Sequence, residues 1–401
     1  MKTQCCIVGG GPAGMMLGFL LARAGVEVVV LEKHGDFLRD FRGDTVHPST
    51  MTVMDELGLL DEFLELPHHR IENFTGQFGE ESVPIADLTH LKVPAPFIAM
   101  MPQWNFLDFL ASHGRKYPGF TLLMHSEAHD VIEENGRVVG VRAMMDGATE
   151  EVRADLVVGC DGRHSVVRER LHISVQDIGA PMDVLWFRLS HKEGDPGEVL
   201  GRFDVGSILV MIDRGDYWQC AYVIAKGSAE KVRAEGIEKV RETISRLMPA
   251  VSDRVDELRT MDDLKLLTVG VDRLERWWKP GVLCIGDCAH TMSPVGGVGI
   301  NLAIQDAVAA SNILAAPLRS GALRDSDLAA VQSRRLFPTR ATQAMQVYIQ
   351  NNVISRALSG SKLRMPLFLW AFRAFPILRR LPARFMAMGF RPEHVQTKAA
   401  A

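Results

Sequence analysis

The sequence predicts a protein of the α/β class, α+β overall, in which a parallel sheet with helices is combined with an inserted, mostly antiparallel sheet and a helical C-terminal segment. Three observations carry this prediction. A strand–helix–strand pattern fills the first 32 residues, strand-like runs fill the middle of the chain, and an arginine-rich helical stretch follows near its end. With 401 residues the chain is long enough for two packed cores.

The first element is a βαβ unit. Cys5–Val8 is a continuous apolar run, typical of a strand that is covered on both faces. Ala13–Ala24 has apolar residues at helical spacing and ends at Gly25, the residue type that most often follows a helix. Glu27–Leu31 is a second apolar run, which indicates another buried strand.

The turn of this unit reads Gly9-x-Gly11-x-x-Gly14 and predicts a bound dinucleotide. Gly9 permits the tight turn, Gly11 lets a pyrophosphate approach the backbone, and Gly14 lets the helix pack against the strand. The helix N-terminus then offers N–H groups and a partial positive charge to the phosphates. Glu32 follows the second strand, where an acidic residue accepts hydrogen bonds from a ribose. The motif by itself does not distinguish NAD from FAD.

A second glycine-bearing turn follows the apolar run Asp155–Cys160. Asp161-Gly162 stands at the end of this predicted strand, and Ser165 is placed to cap a short helix. The alternative is a generic strand-to-helix turn without a ligand.

A third such turn follows Val282–Ile285. Asp287, after Gly286, can accept hydrogen bonds from a sugar-like polyol such as ribityl. The glycines at 296, 297 and 299 lead into a helix whose N-terminus would stabilise a developing anion, such as the N1–C2=O edge of a reduced flavin. His290 is interpreted as a structural histidine of the turn.

The other elements follow from the same periodicities. Helices are predicted at Thr50–Leu57, Trp104–His113, Ile237–Leu247 and Ile300–Leu314. Strands are predicted at Thr121–Met124, His129–Asn135, Arg137–Met144, Val184–Ser190, Ser207–Ile212 and Tyr217–Ile224. The strands between 184 and 224 predict a mostly antiparallel sheet that is separate from the nucleotide-binding layer.

Charge and cysteine usage exclude some classes of protein. The net charge of −4 argues against a general nucleic-acid binder, which needs a basic face. None of the six cysteines forms a C-x-x-C pair, so buried free thiols in a reducing cytoplasm are expected. A metal shared by Cys284, Cys288 and His290 is a less favoured alternative. The N-terminus lacks the long apolar region of a signal peptide, and a cytoplasmic location is expected.

The three motifs in this order resemble the group A flavoprotein monooxygenases, whose prototype is para-hydroxybenzoate hydroxylase. The resemblance covers roughly residues 1 to 310. It implies a Rossmann-like FAD-binding domain that is discontinuous, with the substrate sheet inserted between its pieces. We expect the FAD-binding domain at 1–75, 100–180 and 265–330, the substrate domain at 76–99 and 181–264, and a C-terminal helical arm at 331–401.

The resemblance also implies which residues contact FAD. Most belong to the three motifs, and the rest lie in short segments between them. The implied set is Gly9, Gly11, Pro12, Ala13, Gly14, Glu32, Lys33, Arg42, Gln103, Asp161, Gly286, Asp287, Pro294, Gly297, Gly299, Ile300 and Asn301. One departure concerns Gln103, because an arginine that the family often has near the start of this helix is missing from Met101–Asn105.

The activity that the resemblance implies is hydroxylation of an aromatic ring, phenolic or polyketide-like. NAD(P)H docks transiently and reduces FAD, O2 forms a flavin C4a-hydroperoxide, and the ring attacks the distal oxygen in a pocket kept dry. Candidate pocket residues lie on strands of the middle sheet and beside the flavin loop: Trp186, Arg188, Met211, Trp218, Gln219, Tyr222 and Pro294. Each could instead be an ordinary core or surface residue. His47 is the candidate base for a phenol, because histidine titrates near neutral pH.

Two other activities and two partners stay open. A flavin-dependent halogenase usually carries Trp-x-Trp-x-Ile-Pro in the middle domain, whereas this chain reads Asp216–Tyr222 at the comparable place. A flavin-dependent reductase or dehydrogenase is the other alternative. Between Arg356 and Arg391 arginines alternate with bulky apolar residues and no acidic residue occurs. This stretch predicts either peripheral membrane contact or a helical arm packed on the flavin domain or on the partner of a homodimer.

Overall fold

Two large β-sheets and the helices around them form the fold. The structure is a computed structural model, and it describes residues 1–38, 45–78, 81–195, 200–359 and 367–400. The strands of these residues, in chain order, are β1 (Lys2–Val8), β2 (Val28–Leu31), β3 (Thr45–Val46), β4 (His69–Ile71), β5 (Asn73–Phe78), β6 (Glu81–Asp87), β7 (Ile98–Met100), β8 (Phe120–Leu123), β9 (Ser126–Glu134), β10 (Arg137–Met145), β11 (Ala148–Gly159), β12 (Val175–Asp177), β13 (Met182–Ser190), β14 (Leu200–Asp204), β15 (Ser207–Asp213), β16 (Tyr217–Ala225), β17 (Lys265–Leu267), β18 (Asp272–Leu274), β19 (Trp278–Lys279) and β20 (Val282–Cys284).

The helices of the described residues surround these sheets. They are α1 (Pro12–Arg23), α2 (Pro48–Glu56), α3 (Leu60–Leu64), α4 (Gln103–Gly114), α5 (Val166–Arg170), α6 (Ala229–Glu235), α7 (Ile237–Leu247), α8 (Gly299–Arg319), α9 (Asp325–Ile349), α10 (Ser355–Leu358), α11 (Leu367–Ala374) and α12 (Arg380–Met388). Short 3-10 turns lie at Pro249–Glu257, Met261–Asp263, Gly286–Cys288, Val295–Gly297 and Pro376–Arg379, and a π-helical turn, Gln350–Ile354, follows α9 directly.

The first sheet has the strand order β19-β20-β11-β1-β2-β8, and its five strands from β20 to β8 are parallel. β11 is long, and its first half pairs antiparallel with β10, which pairs in turn with β9. The central strands are apolar and buried because α1 and α8 cover the sheet. The predicted α/β fold class is therefore confirmed, and the glycine turns after β1, β11 and β20 share one sheet edge because parallel strands end together.

The second sheet has the strand order β17-β13-β16-β15-β14-β5-β6 and is antiparallel except for the β14–β5 pair. α7 and the turn Pro249–Glu257 cover one of its faces. The opposite face packs against Val295, Ile354 and Ala357. Strand membership differs from the expected domain limits: β5 crosses the limit at 75/76, β7 crosses the limit at 99/100, and β17 pairs with this sheet although it was expected in the FAD-binding part.

The C-terminal segment packs on both parts of the protein. Ala383 and Ala387, on one side of α12, are buried against β6 and β7. Beyond α12 the chain runs back along α1 and α8, where the Ala400 N–H donates to the Arg23 carbonyl. Among the described residues one helical stretch, Val295–Arg319, is long and apolar enough to cross a membrane, but 72% of that apolar stretch is buried inside the protein, as in a core helix.

Candidate active site

The first glycine motif packs as its spacing predicts. Gly9 has a φ of +104°, and a Cβ there would lie 2.6 Å from the Cys160 carbonyl oxygen. A Cβ on Gly14 would lie 2.0 Å from the Gly9 carbonyl oxygen, so only glycine lets α1 approach the turn. Gly11 differs, since a Cβ there would have no atom within 4 Å. Open space therefore lies above the N-terminus of α1, where the motif predicts a pyrophosphate.

Glu32 closes the same turn from the end of β2. Its Oε2 accepts a hydrogen bond from the Gly10 N–H at 3.0 Å, and its Oε1 accepts one from the His34 N–H at 3.0 Å. These bonds fix the carboxylate beside the glycine turn. The contact with a ribose stays a prediction.

Asp161 stands where β11 ends, in direct contact with the first motif. Its Oδ2 accepts hydrogen bonds from the N–H groups of Val166 at 2.7 Å and Val167 at 3.4 Å, at the start of α5. Its Oδ1 is buried and makes no hydrogen bond among the described residues. Burial raises the pKa of this carboxyl and outweighs the hydrogen bonds from the Ser165 side chain and the backbone that lower it. The unpaired oxygen is a buried acceptor that a bound group or a water can satisfy.

The third motif meets the other two. A Cβ on Gly286 would lie 3.1 Å from the Ala13 Cβ, so the turn after β20 touches the start of α1. The Cys288 thiol donates to the Ser165 hydroxyl at 3.1 Å, beside the turn that carries Asp161. All six cysteines are buried and free, and the described residues hold no group that could bind a metal ion. Three segments far apart in sequence therefore form one site.

A buried cluster of charged and polar side chains fixes this third motif. Asp306 on α8 accepts hydrogen bonds through Oδ2 from the Gly286 N–H at 3.1 Å, and the same oxygen lies 2.6 Å from the His290 Nε2. Its Oδ1 accepts one from the Arg335 Nε at 2.8 Å. Burial raises the pKa of Asp306, but His290 and Arg335 outweigh it and hold the pKa below its ordinary value. Arg335 also lies 3.3 Å from Glu393, which joins the C-terminal tail to the site.

Asn301, in the first turn of α8, ties the glycine loop to the segment around His47. Its Oδ1 accepts hydrogen bonds from the His47 N–H at 2.9 Å and the Thr50 hydroxyl at 2.7 Å. Its Nδ2 donates to the Thr45 carbonyl at 3.1 Å, and the Thr45 hydroxyl donates to the Gly297 carbonyl at 2.7 Å. Both polar atoms of the Asn301 side chain thus have hydrogen-bond partners within the protein, and an FAD contact from this residue stays a prediction.

His47 is fully buried at the N-terminus of α2, between Asn301 and the C-terminal helix α12. Its Nδ1 lies 2.7 Å from the Met386 carbonyl oxygen, which requires the proton on Nδ1. Burial lowers the pKa of His47 to about 4, although the carbonyl groups of Met386 and Gly297 raise it in part. His47 is therefore neutral at pH 7, and its Nε2 presents a lone pair. The predicted base is weaker than a histidine that titrates near neutral pH.

This burial predicts an acid-dependent loss of stability. The pKa of His47 is about 4 in the folded protein and near its ordinary 6.5 in the unfolded chain, so the unfolded chain binds the extra proton between these values. The free energy of unfolding should fall by about 3 kcal/mol as the pH drops through that window. Urea unfolding of the protein at pH 7 and pH 4.5 measures the loss, and His47→Gln should remove most of it. His113→Gln, at another buried histidine, is the control, and an equal reduction in both variants would refute the assignment.

The second sheet brings only part of the predicted pocket to the face that packs against the loop before α8. Trp186 packs in the apolar cluster that contains Val295, the residue after Pro294. Arg188 and Gln219 face each other on neighbouring strands and share that side, because alternate residues of a strand point the same way. Gln219 is buried. Its Oε1 accepts two hydrogen bonds from Arg214, one from Nε at 3.0 Å and one from Nη2 at 2.9 Å.

The structure removes three residues from the predicted pocket: Met211, Trp218 and Tyr222. All three lie on the opposite face of the sheet, under α7 and the turn Pro249–Glu257. Trp218 donates through Nε1 to Asp195 at 2.8 Å, and Asp195 is paired with the buried Arg254. These side chains belong to the core of the second sheet and do not face the loop after β20.

The remaining predicted cofactor residues lie around the same edge. Gln103 begins α4, just after β7, which pairs with β3 at Thr45. Lys33 is exposed and lies 4.0 Å from Glu127. Arg42 lies outside the described residues. Pro12, Gly299 and Ile300 stand in the first turns of α1 and α8, and the individual contacts of all these residues stay predictions.

The arrangement fits an elongated dinucleotide cofactor. The N-termini of α1 and α8 point to the shared edge, and neither helix has an acidic residue in its first turn. The space above Gly11 would receive the pyrophosphate. The unpaired Oδ1 of Asp161 would accept a hydrogen bond from a neighbouring hydroxyl group of the cofactor. Asp287 follows β20, at the expected place for a ribityl contact. The residue that begins the glycine loop before α8, Val295, packs against the second sheet, so a redox ring held by this loop would lie between the two sheets.

A parallel sheet with three convergent glycine turns, and a second sheet facing the loop before α8, define a flavin-binding oxidoreductase. The chain belongs to the family described as FAD binding domain, whose family model matches residues 2–345. Its cofactor is FAD, and the resemblance to the group A flavoprotein monooxygenases is confirmed. The protein is an FAD-dependent monooxygenase.

The relatives agree with this assignment. 6-Methylpretetramide 4-monooxygenase of Streptomyces rimosus is 32% identical over 366 residues, which span 90% of this chain and 87% of that protein. The structure of P. aeruginosa PqsL in complex with 2-aminobenzoylacetate superposes with a TM-score of 0.78 at 23% identity, over 90% of this chain and 99% of that one. OxyS anhydrotetracycline hydroxylase from Streptomyces rimosus has a TM-score of 0.75 at 23% identity, over 96% and 76%. The two structures support the fold.

Two groups of residues at this site were not predicted from the sequence. Arg335 and Glu393 lie 58 residues apart and carry no motif that would connect them. Gln343, Gln346 and Gln350 did have a signal, because their spacing along a helix places three amides on one face. A buried polar stripe of this kind indicates a partner that needs hydrogen bonds.

Proposed function

We propose that the protein hydroxylates an electron-rich aromatic ring of a polyketide-like substrate, with NAD(P)H as reductant and O2 as oxidant. One observation carries the choice of substrate class: the 32% identity over 90% of the chain to a monooxygenase named for 6-methylpretetramide. The apolar face of the second sheet, beside the flavin loop, supports a large and largely apolar substrate.

Bound FAD supplies the chemistry, since reduced flavin activates O2 and delivers one oxygen atom to the ring. The chain binds the cofactor through the three turns and orients its ring against the second sheet. The N-terminus of α8 would stabilise negative charge on the flavin edge. Trp186 and the apolar residues around Val295 exclude water from the reacting atoms.

His47 is proposed as a hydrogen-bond acceptor at the site. Its Nδ1–H is held by the Met386 carbonyl, so that Nε2 is the acceptor atom. With a pKa of about 4 it accepts a hydrogen bond from a hydroxyl but holds a proton poorly at pH 7. Water would then take up the proton of the phenol, while His47 orients the hydroxyl group.

The proposal is tested by NADPH oxidation and oxygen uptake with and without candidate substrates. A polycyclic phenol should stimulate NADPH oxidation, and with isotopically labelled O2 one labelled oxygen atom should appear in the product. NADH in place of NADPH determines the preferred reductant. Stimulated NADPH oxidation without labelled product, or product formation that depends on halide, would contradict hydroxylation and favour the reductase or the halogenase.

The partners and the cellular location stay predictions. The C-terminal segment exposes Trp370, Phe375, Ile377 and Leu381, and Arg380 and Arg384 flank them, as expected of a surface that contacts anionic lipid. A homodimer and a cytoplasmic location are supported only by the sequence arguments.

A further inference from the structure

Three glutamines form one stripe along α9 and the π turn that follows it. Gln343, Gln346 and Gln350 are three and four residues apart, so they lie on one face of the helix. Their side chains are 1%, 1% and 0% exposed. A buried amide is unfavourable unless it is hydrogen-bonded, so the partners of this glutamine stripe show what it holds.

Most of the partners lie in the loop that runs into the flavin-facing segment, and Gln343 also donates to the Asp272 carbonyl at 2.7 Å and accepts from the Arg273 guanidinium at 2.9 Å. The Gln346 Nε2 donates to the carbonyl groups of Ser293 and Val295, both at 2.9 Å, and its Oε1 accepts from the Ser293 N–H at 3.1 Å. The Gln343 Nε2 donates to the Thr291 carbonyl at 3.0 Å. The Gln350 Nε2 donates to the Ser293 hydroxyl at 2.7 Å.

The start of the loop is tied to β18, because His290 forms an isolated antiparallel bridge with Arg273, whereas beyond Thr291 the loop pairs with no strand of the described residues. Thr291 is tied to Asp272, and from Ser293 to Val295 the hydrogen bonds come mainly from the stripe. Val295 then begins the turn that carries Gly296 and Gly297 and ends at α8. A displacement of Val295 therefore moves the glycine loop beside the cofactor.

The stripe also reaches the second sheet. The π turn Gln350–Ile354 places Ile354 in the apolar cluster with Val295 and Trp186. π turns inside helices are frequent at functional sites. The Gln350 Oε1 is buried and makes no hydrogen bond among the described residues. α9 and its π turn thus bond the loop through the glutamine stripe and also pack against the second sheet through Ile354.

We propose that Gln346 is the positioning residue that sets the flavin-facing loop, with Gln343 and Gln350 supporting it from the same stripe. Three directional hydrogen bonds fix the loop more closely than apolar packing would. The inference rests on the FAD site alone and does not require that the substrate be an aromatic polyketide.

The test compares Gln346→Leu with Gln332→Leu. Gln332 lies on the same helix and also bonds two backbone groups, those of Trp277 at 3.1 Å and Glu275 at 2.9 Å, outside the flavin-facing loop. The readouts are the Kd for FAD and the visible circular dichroism of bound flavin in the holoprotein. Gln346→Leu should raise the Kd at least about tenfold and change the spectrum, whereas Gln332→Leu should stay within about twofold.

Gln350→Met keeps the proposal testable if Gln346→Leu does not fold, because it removes one hydrogen bond at nearly constant volume. It should raise the Kd about threefold and change the spectrum in the same direction. Equal changes in Gln346→Leu and Gln332→Leu would overturn the proposal. So would a Gln350→Met protein with the Kd and spectrum of the wild type. Failure of the wild-type protein to hydroxylate any phenol counts against the proposed function and leaves this inference standing.

Discussion

Arg335→Met is expected to lower the free energy of unfolding by about 3–5 kcal/mol, because it leaves two buried carboxylates without their shared cation. Arg335 is 1% exposed and bonds Asp306 through Nε at 2.8 Å, with Glu393 3.3 Å away. Asp306 and Glu393 are buried as well. Methionine fills similar volume, so the loss comes from the charges.

Arg334→Met is the matched control. Arg334 binds the same Glu393, at 2.8 and 3.1 Å, but its side chain is 51% exposed. The Arg334 end of this pair is exposed to solvent, and Glu393 keeps its partner Arg335 when Arg334 is replaced, so the loss should be smaller, about 1 kcal/mol. Urea unfolding of both variants without FAD measures the difference, and equal losses would show that the buried triad is not the source of stability.

Arg335→Met should also weaken FAD binding. Asp306 accepts the Gly286 N–H, so an Asp306 that moves or takes up a proton releases the turn that carries Asp287. FAD titration, followed by quenching of flavin fluorescence, should give a raised Kd for Arg335→Met and an unchanged one for Arg334→Met.

Gly14→Ala and Gly11→Ala should separate two roles of the first motif. A Cβ on Gly14 would lie 2.0 Å from a backbone oxygen that cannot move aside easily. We expect the FAD-free protein to lose about 1–3 kcal/mol or more of stability, as in other overpacked cores, and to bind no FAD.

Gly11→Ala should leave the FAD-free protein as stable as the wild type. Gly11 has a φ of −75°, which alanine adopts readily, and its Cβ would meet no atom within 4 Å. The methyl group would instead occupy the space where a pyrophosphate approaches α1, so the Kd for FAD should rise at least about tenfold. A Gly11→Ala protein with wild-type affinity would place the pyrophosphate elsewhere.

The errors in the predicted pocket have one physical cause. Alternation along β15 and β16 tells which residues share a face, but it does not tell which face meets the cofactor. Met211 and Tyr222 were assigned to the flavin side, and they lie under α7. Trp186, on β13, lies on the other face of the sheet and packs in the cluster with Val295 of the loop. Both faces of this sheet are apolar, so the sequence holds no signal that distinguishes them.

His47 shows the same limit for chemistry. The sequence places it directly before Pro48, and its position beside the glycine loop follows from the hydrogen bond to Asn301. Its burial and low pKa depend on α12, whose Met386 is 339 residues away.

Strand ends, glycine conformations and helix N-termini are local properties of a few adjacent residues, so the sequence was sufficient to predict the three turns, FAD as the cofactor and the fold class. Three features became known only from the packed protein: which face of the second sheet packs against Val295 before α8, how Arg335 joins Asp306 to Glu393, and why Gln346 is buried. These depend on segments that lie far apart in the chain and meet only when the two sheets and the C-terminal helices pack together.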